Sequence, residues 1–344
     1  MAGSGGAVGV LLGGLLTEYL GWEWVLFVNV PIALFAAAMT ARLLPESRET
    51  GPRRYDVAGA VTITAGISLL VYALVDAVDV GWGATQTLGL IALALALVAS
   101  FVVIELRTSH PLISFAIFRK RTLTGANVVA VLVAMSLFSM FFFVSLYMQQ
   151  VLGYDALKAG VAYLPLAVGI ILSAGIASQL VTRVGFKPVM VAGFLLVSAG
   201  LVWFAQVSPG GTYVGDVLFP SLLAAVGLGL VFVPLTIAAV AGVSAQESGL
   251  ASGLINTSQQ VGGALGLAIL ATIANSTTQD AMLEAGGNPR ELPTALTEGF
   301  QAAFLVGAGF AVLGAILTVV LISSRTSREH AEAARRGDVV PVPA

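Results

Sequence analysis

Ten times along its 344 residues the chain runs through apolar side chains for long enough to cross a lipid bilayer, and nothing else limits its fold so sharply. The stretches cover about 3–20, 24–44, 57–78, 86–106, 124–150, 157–181, 188–206, 214–239, 250–275 and 299–323. A helix needs about 20 such residues to span the hydrocarbon core. A water-soluble domain carries about 25% charged residues; this chain has 10%, with 58% hydrophobic residues, and lacks the polar faces a soluble core of this size requires. The sequence reads as an all-α membrane protein.

The basic residues order the threading. If the loop after the second span is cytoplasmic, Arg42, Arg48, Arg53 and Arg54 lie inside. Alternation adds Arg107, Arg119, Lys120, Arg121, Arg183, Lys187, Arg325, Arg328, Arg335 and Arg336 to the same side. Only Lys158 and Arg290 fall outside, the bias expected of cytoplasmic loops. The C-terminus is then cytoplasmic, and the loop around Val243–Gly249 is inside by parity alone. Trp22, Trp24 and Trp82 fall at span ends, where amphipathic rings prefer to sit. Residues 276–298 read as a long, polar, partly ordered external connection, and the tail from Ser324 to Ala344 as solvated or disordered.

Several chemistries are excluded. There is no Cys, and the imidazoles are His110 in a loop and His330 in the tail. Thiolate, zinc and histidine-based catalysis therefore have no basis, no cofactor or metal is expected, and the chain reads as no enzyme. Met1 is not followed by a basic n-region, so the first stretch is a membrane helix and not a secretory signal. No charged residue lies near the middle of any span: Glu18, Asp76, Asp79 and Glu105 are all peripheral. Intramembrane acids are the default proton-relay candidates, and these can equally be interfacial residues reaching water.

Gly5, Gly9 and Gly13 recur every four residues, so on a helix they share one face, and Gly14 widens it. A glycine costs about 1 kcal/mol in an aqueous helix; in lipid, a bare stripe lets a second backbone approach closely. A tight helix contact with no transport role remains the alternative. The spacing Gly5-xxx-Gly9-Val10-xx-Gly13-Gly14 resembles the antiporter signature G-xxx-G-P-xx-G-G of drug–proton antiporters in the major facilitator superfamily, with Val10 where the family usually has Pro. The turn Gln179–Pro188, carrying Arg183, Gly185 and Lys187, resembles the superfamily's loop G-x-L-x-D-R-x-G-R-K, but Thr182 replaces its Asp. An Asp–Arg gate lacks its acid at this turn, which can serve topology and packing as well as gating. The blocks Leu146–Tyr154 with Ala159-Gly160 and Leu164-Pro165, and Gly249–Gly253 with Asn256, Gln259-Gln260, Gly262-Gly263 and Gly266, resemble the fourteen-span branch of these antiporters, the multidrug and antiseptic exporters. So does Gly21-Trp22-Glu23-Trp24 with Phe27, Asn29 and Pro31.

That resemblance implies a major facilitator-type bundle of about ten transmembrane helices, the last ten of fourteen. It is an N-terminally truncated arrangement in which residues 1–50 are the remainder of the N-terminal half. Residues 51–121 then form the central extra helix pair with its cytoplasmic linkers, 122–323 the complete C-terminal six-helix half, and 324–344 the cytoplasmic tail. In the family, the first and fourth helices of each half face the centre. The substrate-cavity candidates are therefore Asn127, Ser136, Phe138, Phe142, Tyr147 and Gln149 from one span, with Phe232, Pro234 and Thr236 from another. Large rings with a few hydrogen-bonding groups suit amphipathic cations or bulky apolar solutes, although an aromatic run such as Phe141-Phe142-Phe143 can instead pack or face lipid. Asn256, Gln259 and Gln260 are as readily interhelical hydrogen-bonding residues as ligands. Glu18, Arg183, Gly185 and Lys187 are the gating or coupling candidates.

The implied function is proton-coupled efflux of small amphipathic or drug-like molecules by alternating access, impaired in this truncated chain. The alternative is an inactive or accessory membrane fragment that packs with a partner chain, and a lipid-modifying enzyme has no acid, His or Cys cluster to support it. The implied partners are the lipid bilayer, a small-molecule substrate and protons, with no nucleic acid, and, where the chain is truncated, a chain supplying the missing four helices. The abundance of Ala, Gly and Val and the excess of Arg over Lys suit a GC-rich bacterial coding sequence, and so a multi-pass protein of the bacterial plasma (inner) membrane.

Overall fold

The computed structural model describes residues 2–43, 56–108, 112, 113, 115–241, 243, 244 and 247–336. Arg48, Arg53, Arg54 and His110 lie outside the described residues. The described chain is helical throughout: α1 (Ala2–Tyr19), α2 (Glu23–Phe27), α3 (Asn29–Leu43), α4 (Val57–Val80), α5 (Thr85–Arg107), α6 (Arg121–Leu146), α7 (Ala156–Ala162), α8 (Leu164–Val184), α9 (Phe186–Phe204), α10 (Phe219–Val240), α11 (Ser248–Glu284), α12 (Leu292–Leu321) and α13 (Ser324–Arg336). Nine segments among the described residues are long and apolar enough to cross a membrane, the first being Glu23–Thr40 across α2 and α3. The 18-residue α1 stands beside them, its apolar character diluted by its glycines.

At the starts of α4 and α7 a leftover backbone amide finds a side-chain acceptor. Asp56 caps α4 by accepting from the Gly59 amide at 2.8 Å. Asp155 caps α7 in the same way, accepting from the Lys158 amide at 2.6 Å. The spans α6, α9, α10 and α12 enclose the main core, where Phe204 stacks on Phe304 at 5.1 Å and Phe143 lies 5.9 Å from Phe300. Small residues set these approaches. A Cβ on Gly227 of α10 would fall on the Gly193 carbonyl and the Val197 amide of α9, and one on Gly266 of α11 would fall on Met135 of α6. This is close backbone packing of the kind that substitutes for a hydrophobic driving force in lipid. The pair α4–α5 stands against α11, where the Trp82 indole donates to Thr272 Oγ1 at 2.8 Å.

Two expectations fail. Residues 276–298 are not a long connection: α11 runs on to Glu284 and α12 begins at Leu292. The helix α11 has 37 residues. At the α-helical rise it is about 55 Å long. That is well beyond a hydrocarbon core of about 30 Å. It ends at Gly286 and Gly287, with φ of 66° and 72°. Their amides return to the Leu283 and Met282 carbonyls, as at a glycine-capped helix end. The polar residues that suggested a loop lie on a helical hairpin, with Thr297 buried and Gly299 seated against Ala274. The tail is not simply solvated either. Ser324–Arg336 form α13, docked on α8 and α9 with Ser327 and Ala331 buried; residues 337–344 lie outside the described residues.

Candidate functional site

The expected cavity residues divide by the side of the helix they occupy. On α6 and the π-helical turn Tyr147–Val151 that extends it, Phe138, Phe142 and Gln149 are exposed and Asn127 is half-buried. Spacings of four, seven and eleven residues keep these on one stripe. Neighbouring α10 adds Phe232, half-buried, and Thr236, exposed, one turn apart. The polar groups on this face are engaged along their own helices or with α11. Thr236 Oγ1 donates to the Phe232 carbonyl at 3.0 Å and Gln149 Nε2 to Ser145 Oγ at 2.8 Å. Asn127 donates to the Leu123 carbonyl at 2.9 Å, and its Oδ1 accepts from Ser258 of α11, also at 2.9 Å. Phe138 lies over Gly263. The face is thus aromatic and amide-bearing, and carries no charge at mid-span.

Ser136, Tyr147 and Pro234 point the other way. Ser136 is 1% exposed and donates to the Gly307 carbonyl of α12 at 3.1 Å. Tyr147 is also 1% exposed, and its hydroxyl donates to the Ser208 carbonyl at 2.8 Å. Pro234 is buried inside α10. Ser136 and Tyr147 thus tie separate segments of the bundle together, and none of the three lines the stripe. Asn256, singled out as a possible interhelical donor, turns back to the Ser252 carbonyl of its own helix; its neighbour Ser258 makes the crossing bond.

One end of the bundle gathers the basic residues. Gly185 joins α8 to α9 at φ 85°, with Ser327 packed where a Cβ would stand. Glycine adopts that conformation at no steric cost. Lys187 Nζ donates to the Val319 and Ile322 carbonyls at 2.8 and 2.9 Å and to Ser324 Oγ at 2.8 Å, and Arg121 donates to the Val320 carbonyl at 2.7 Å. Two cations therefore close the C-terminal end of α12, where leftover carbonyls and the helix dipole favour positive charge. Arg183 is exposed, and its carbonyl accepts from the Arg335 guanidinium of α13. At the same end Lys120 pairs with Glu247 at 2.7 Å, which puts the loop before α11 beside the start of α6. The Lys120 hydrogen bond, helped by Ser244, pulls the Glu247 carboxyl down to about 2. The sequence carries one signal for this pair, Glu247 as an acid in a loop that otherwise lacks charge.

The glycine stripe of α1 is only partly engaged. Gly14 lies on the Ala156–Leu157 backbone of α7, whereas nothing stands within 4 Å of a Cβ on Gly9 or Gly13. Gly5 lies on the same helix, and Glu18 is exposed near its end. Glu105 is 4% exposed and accepts from the Leu112 and Ile113 amides at 3.1 and 3.4 Å, so it anchors the chain that follows α5.

Residues 1–267 match the Major Facilitator Superfamily. The chain belongs to that superfamily. Within the superfamily it is 35% identical to the puromycin resistance protein pur8 of Streptomyces alboniger, over 99% of this chain and 68% of that protein. It is 37% identical to the cephamycin export protein CmcT of Amycolatopsis lactamdurans, over 92% of this chain and 64% of that one. It is 31% identical to the tetracenomycin C resistance and export protein of Streptomyces glaucescens, over all of this chain and 70% of its relative. The chain thus spans about two thirds of the length of these relatives. The superfamily fold is also found in a bacterial homologue of the human lysosomal transporter Spinster, solved inward-facing and unoccupied, at a TM-score of 0.52 over 94% of this chain and 81% of that one, with 16% identity. The chain is a transporter of this superfamily, related to drug and antibiotic exporters, and not an enzyme.

Proposed function

We propose that the chain serves proton-coupled export of small amphipathic or drug-like molecules across the bacterial plasma membrane, by alternating access between two halves. The observation that carries this reading is the uncharged aromatic and amide face of α6 and α10 in a chain whose relatives are antibiotic exporters. Phe138, Phe142 and Phe232 offer rings to an apolar or cationic solute, and Asn127, Gln149 and Thr236 offer hydrogen bonds. In this reading residues 122–323 are the C-terminal half, 51–121 the central pair, 1–50 part of the N-terminal half, and 324–344 a cytoplasmic tail. The basic end of the bundle is cytoplasmic, as the bias in Lys and Arg requires. The clasp at Arg183, Gly185 and Lys187 holds that end together, and Glu18 is the coupling candidate on α1. Expression in an efflux-deficient bacterium, with drug resistance and dye efflux measured with and without a protonophore, tests the proposal. Protonophore-insensitive efflux would remove the proton coupling, and loss of efflux in Phe142→Ala with normal expression would support the face.

A second reading has its own observation. Gly9 and Gly13 are open and no residue of the most apolar part of Glu23–Thr40 is buried, so this side of the bundle suits packing against a further membrane chain. Co-expression with a chain carrying the four additional helices of the fourteen-span type discriminates the two: efflux that appears only then favours the second.

A further inference from the structure

A cavity of about 520 Å³ opens on the outer surface of the bundle where the α8–α9 turn, the end of α12 and α13 meet. Lys187, Ser324 and Arg328 line it where the helices end and form its rim, while Val191 and Leu195, one and two turns further along α9, and Val319, inside the last turn of α12, form an apolar trough. Leu195 and Val319 are more than half exposed, as side chains facing lipid would be. From Lys187 to Leu195 the trough descends about 12 Å along α9, enough to pass from the headgroup layer into the hydrocarbon.

The charge at the rim is unbalanced. Lys187 and Arg121 both press on the α12 terminus, whose dipole answers only about half of one charge. The α13 acids are used elsewhere: Glu329 pairs with Arg325 at 2.7 Å and Glu332 with Arg336 at 3.6 Å. Arg328 is exposed and enters no ion pair among the described residues. Lys187 spends its three hydrogens on Val319, Ile322 and Ser324, so it supplies field and not donors. Arg328 supplies the donors, in the fork that suits a phosphate.

We propose that this cavity is a binding site for one anionic phospholipid, its phosphate on Arg328 beside Lys187 and Ser324 and an acyl chain along Val191, Leu195 and Val319. Basic pockets between helices at the membrane face favour such headgroups, and the bound lipid would pin α13 to the bundle.

The test is native mass spectrometry of the delipidated full chain titrated with phosphatidylglycerol or phosphatidylcholine, scoring the first bound lipid. The result is independent of transport. The wild-type chain is expected to prefer phosphatidylglycerol at least tenfold, Arg328→Gln to erase the preference, Arg328→Lys to keep most of it, and Leu195→Gln to weaken phosphatidylglycerol binding without altering the melting temperature. Equal binding of the two lipids, or an Arg328→Gln chain that keeps the preference, overturns the proposal. So does full displacement by glycerol phosphate with no effect of Leu195→Gln, which would mark a site for free anions.

Discussion

Gly9 and Gly13 of α1 and the glycines Gly227, Gly262 and Gly266 of α10 and α11 belong to the same kind of pattern and meet opposite fates. On α10, Gly227 touches the α9 backbone, and on α11, Gly262 and Gly266 touch α6 at Val131 and Met135. On α1, no atom among the described residues stands within 4 Å of a Cβ on Gly9 or Gly13, although Gly14 one position on is pressed against α7. The neighbouring α2–α3 segment is exposed along its most apolar stretch, while the Tyr213–Val240 span is 61% buried over its own. A glycine stripe is therefore one side of an interface. It becomes an interface only where the fold brings up a second backbone.

The contrast breaks most directly at its glycines. Gly227→Val should force α9 and α10 apart and cost about 1–3 kcal/mol or abolish folding, whereas Gly13→Val should stay within about 0.5 kcal/mol. Thermal unfolding in detergent compares them, and an equal loss at both positions would sink the distinction. Next in size is Lys187→Met, which leaves the Val319 and Ile322 carbonyls without their cation while Arg121 keeps Val320, and should cost about 1.5–3 kcal/mol, read as a lower unfolding temperature and faster proteolysis of α13. Ser136→Ala removes one interhelical hydrogen bond and should cost about 0.6 kcal/mol, with efflux unchanged if Ser136 packs and does not line the face.

The smallest effect concerns the Lys120–Glu247 pair. The folded state lowers the Glu247 carboxyl from 4.5 to about 2. Its stabilisation is therefore present above the unfolded value of 4.5 and is lost as pH falls toward 2. Glu247→Gln should flatten that part of the stability–pH curve, and a curve of unchanged shape would show that the half-buried pair contributes nothing measurable.

Much of the membrane architecture was legible because each apolar run states its own helix. The polar segment 276–298 and the tail misled because a helix leaving the bilayer has the composition of a loop. The tail helix α13 holds through Ser327 and Ala331 against residues some 140 positions earlier, as in the Lys187–Ser327 bond, and no local pattern announces such a partner. The face residues were readable as residue types, but their direction was not. Phe142 and Tyr147 are five residues apart on one element, and one is exposed while the other is 1% exposed.

By itself, then, the sequence determined that the chain is a set of membrane helices, where most of them start, and which ends carry the positive charge, because hydrophobic length and charge placement act residue by residue against the bilayer. Only the tertiary structure decided which glycines are contacts, that Ser136 and Tyr147 serve packing, that Lys187 closes α12, and that Glu247 answers Lys120. Each of those depends on two segments distant in sequence arriving within a hydrogen bond or a van der Waals contact of one another.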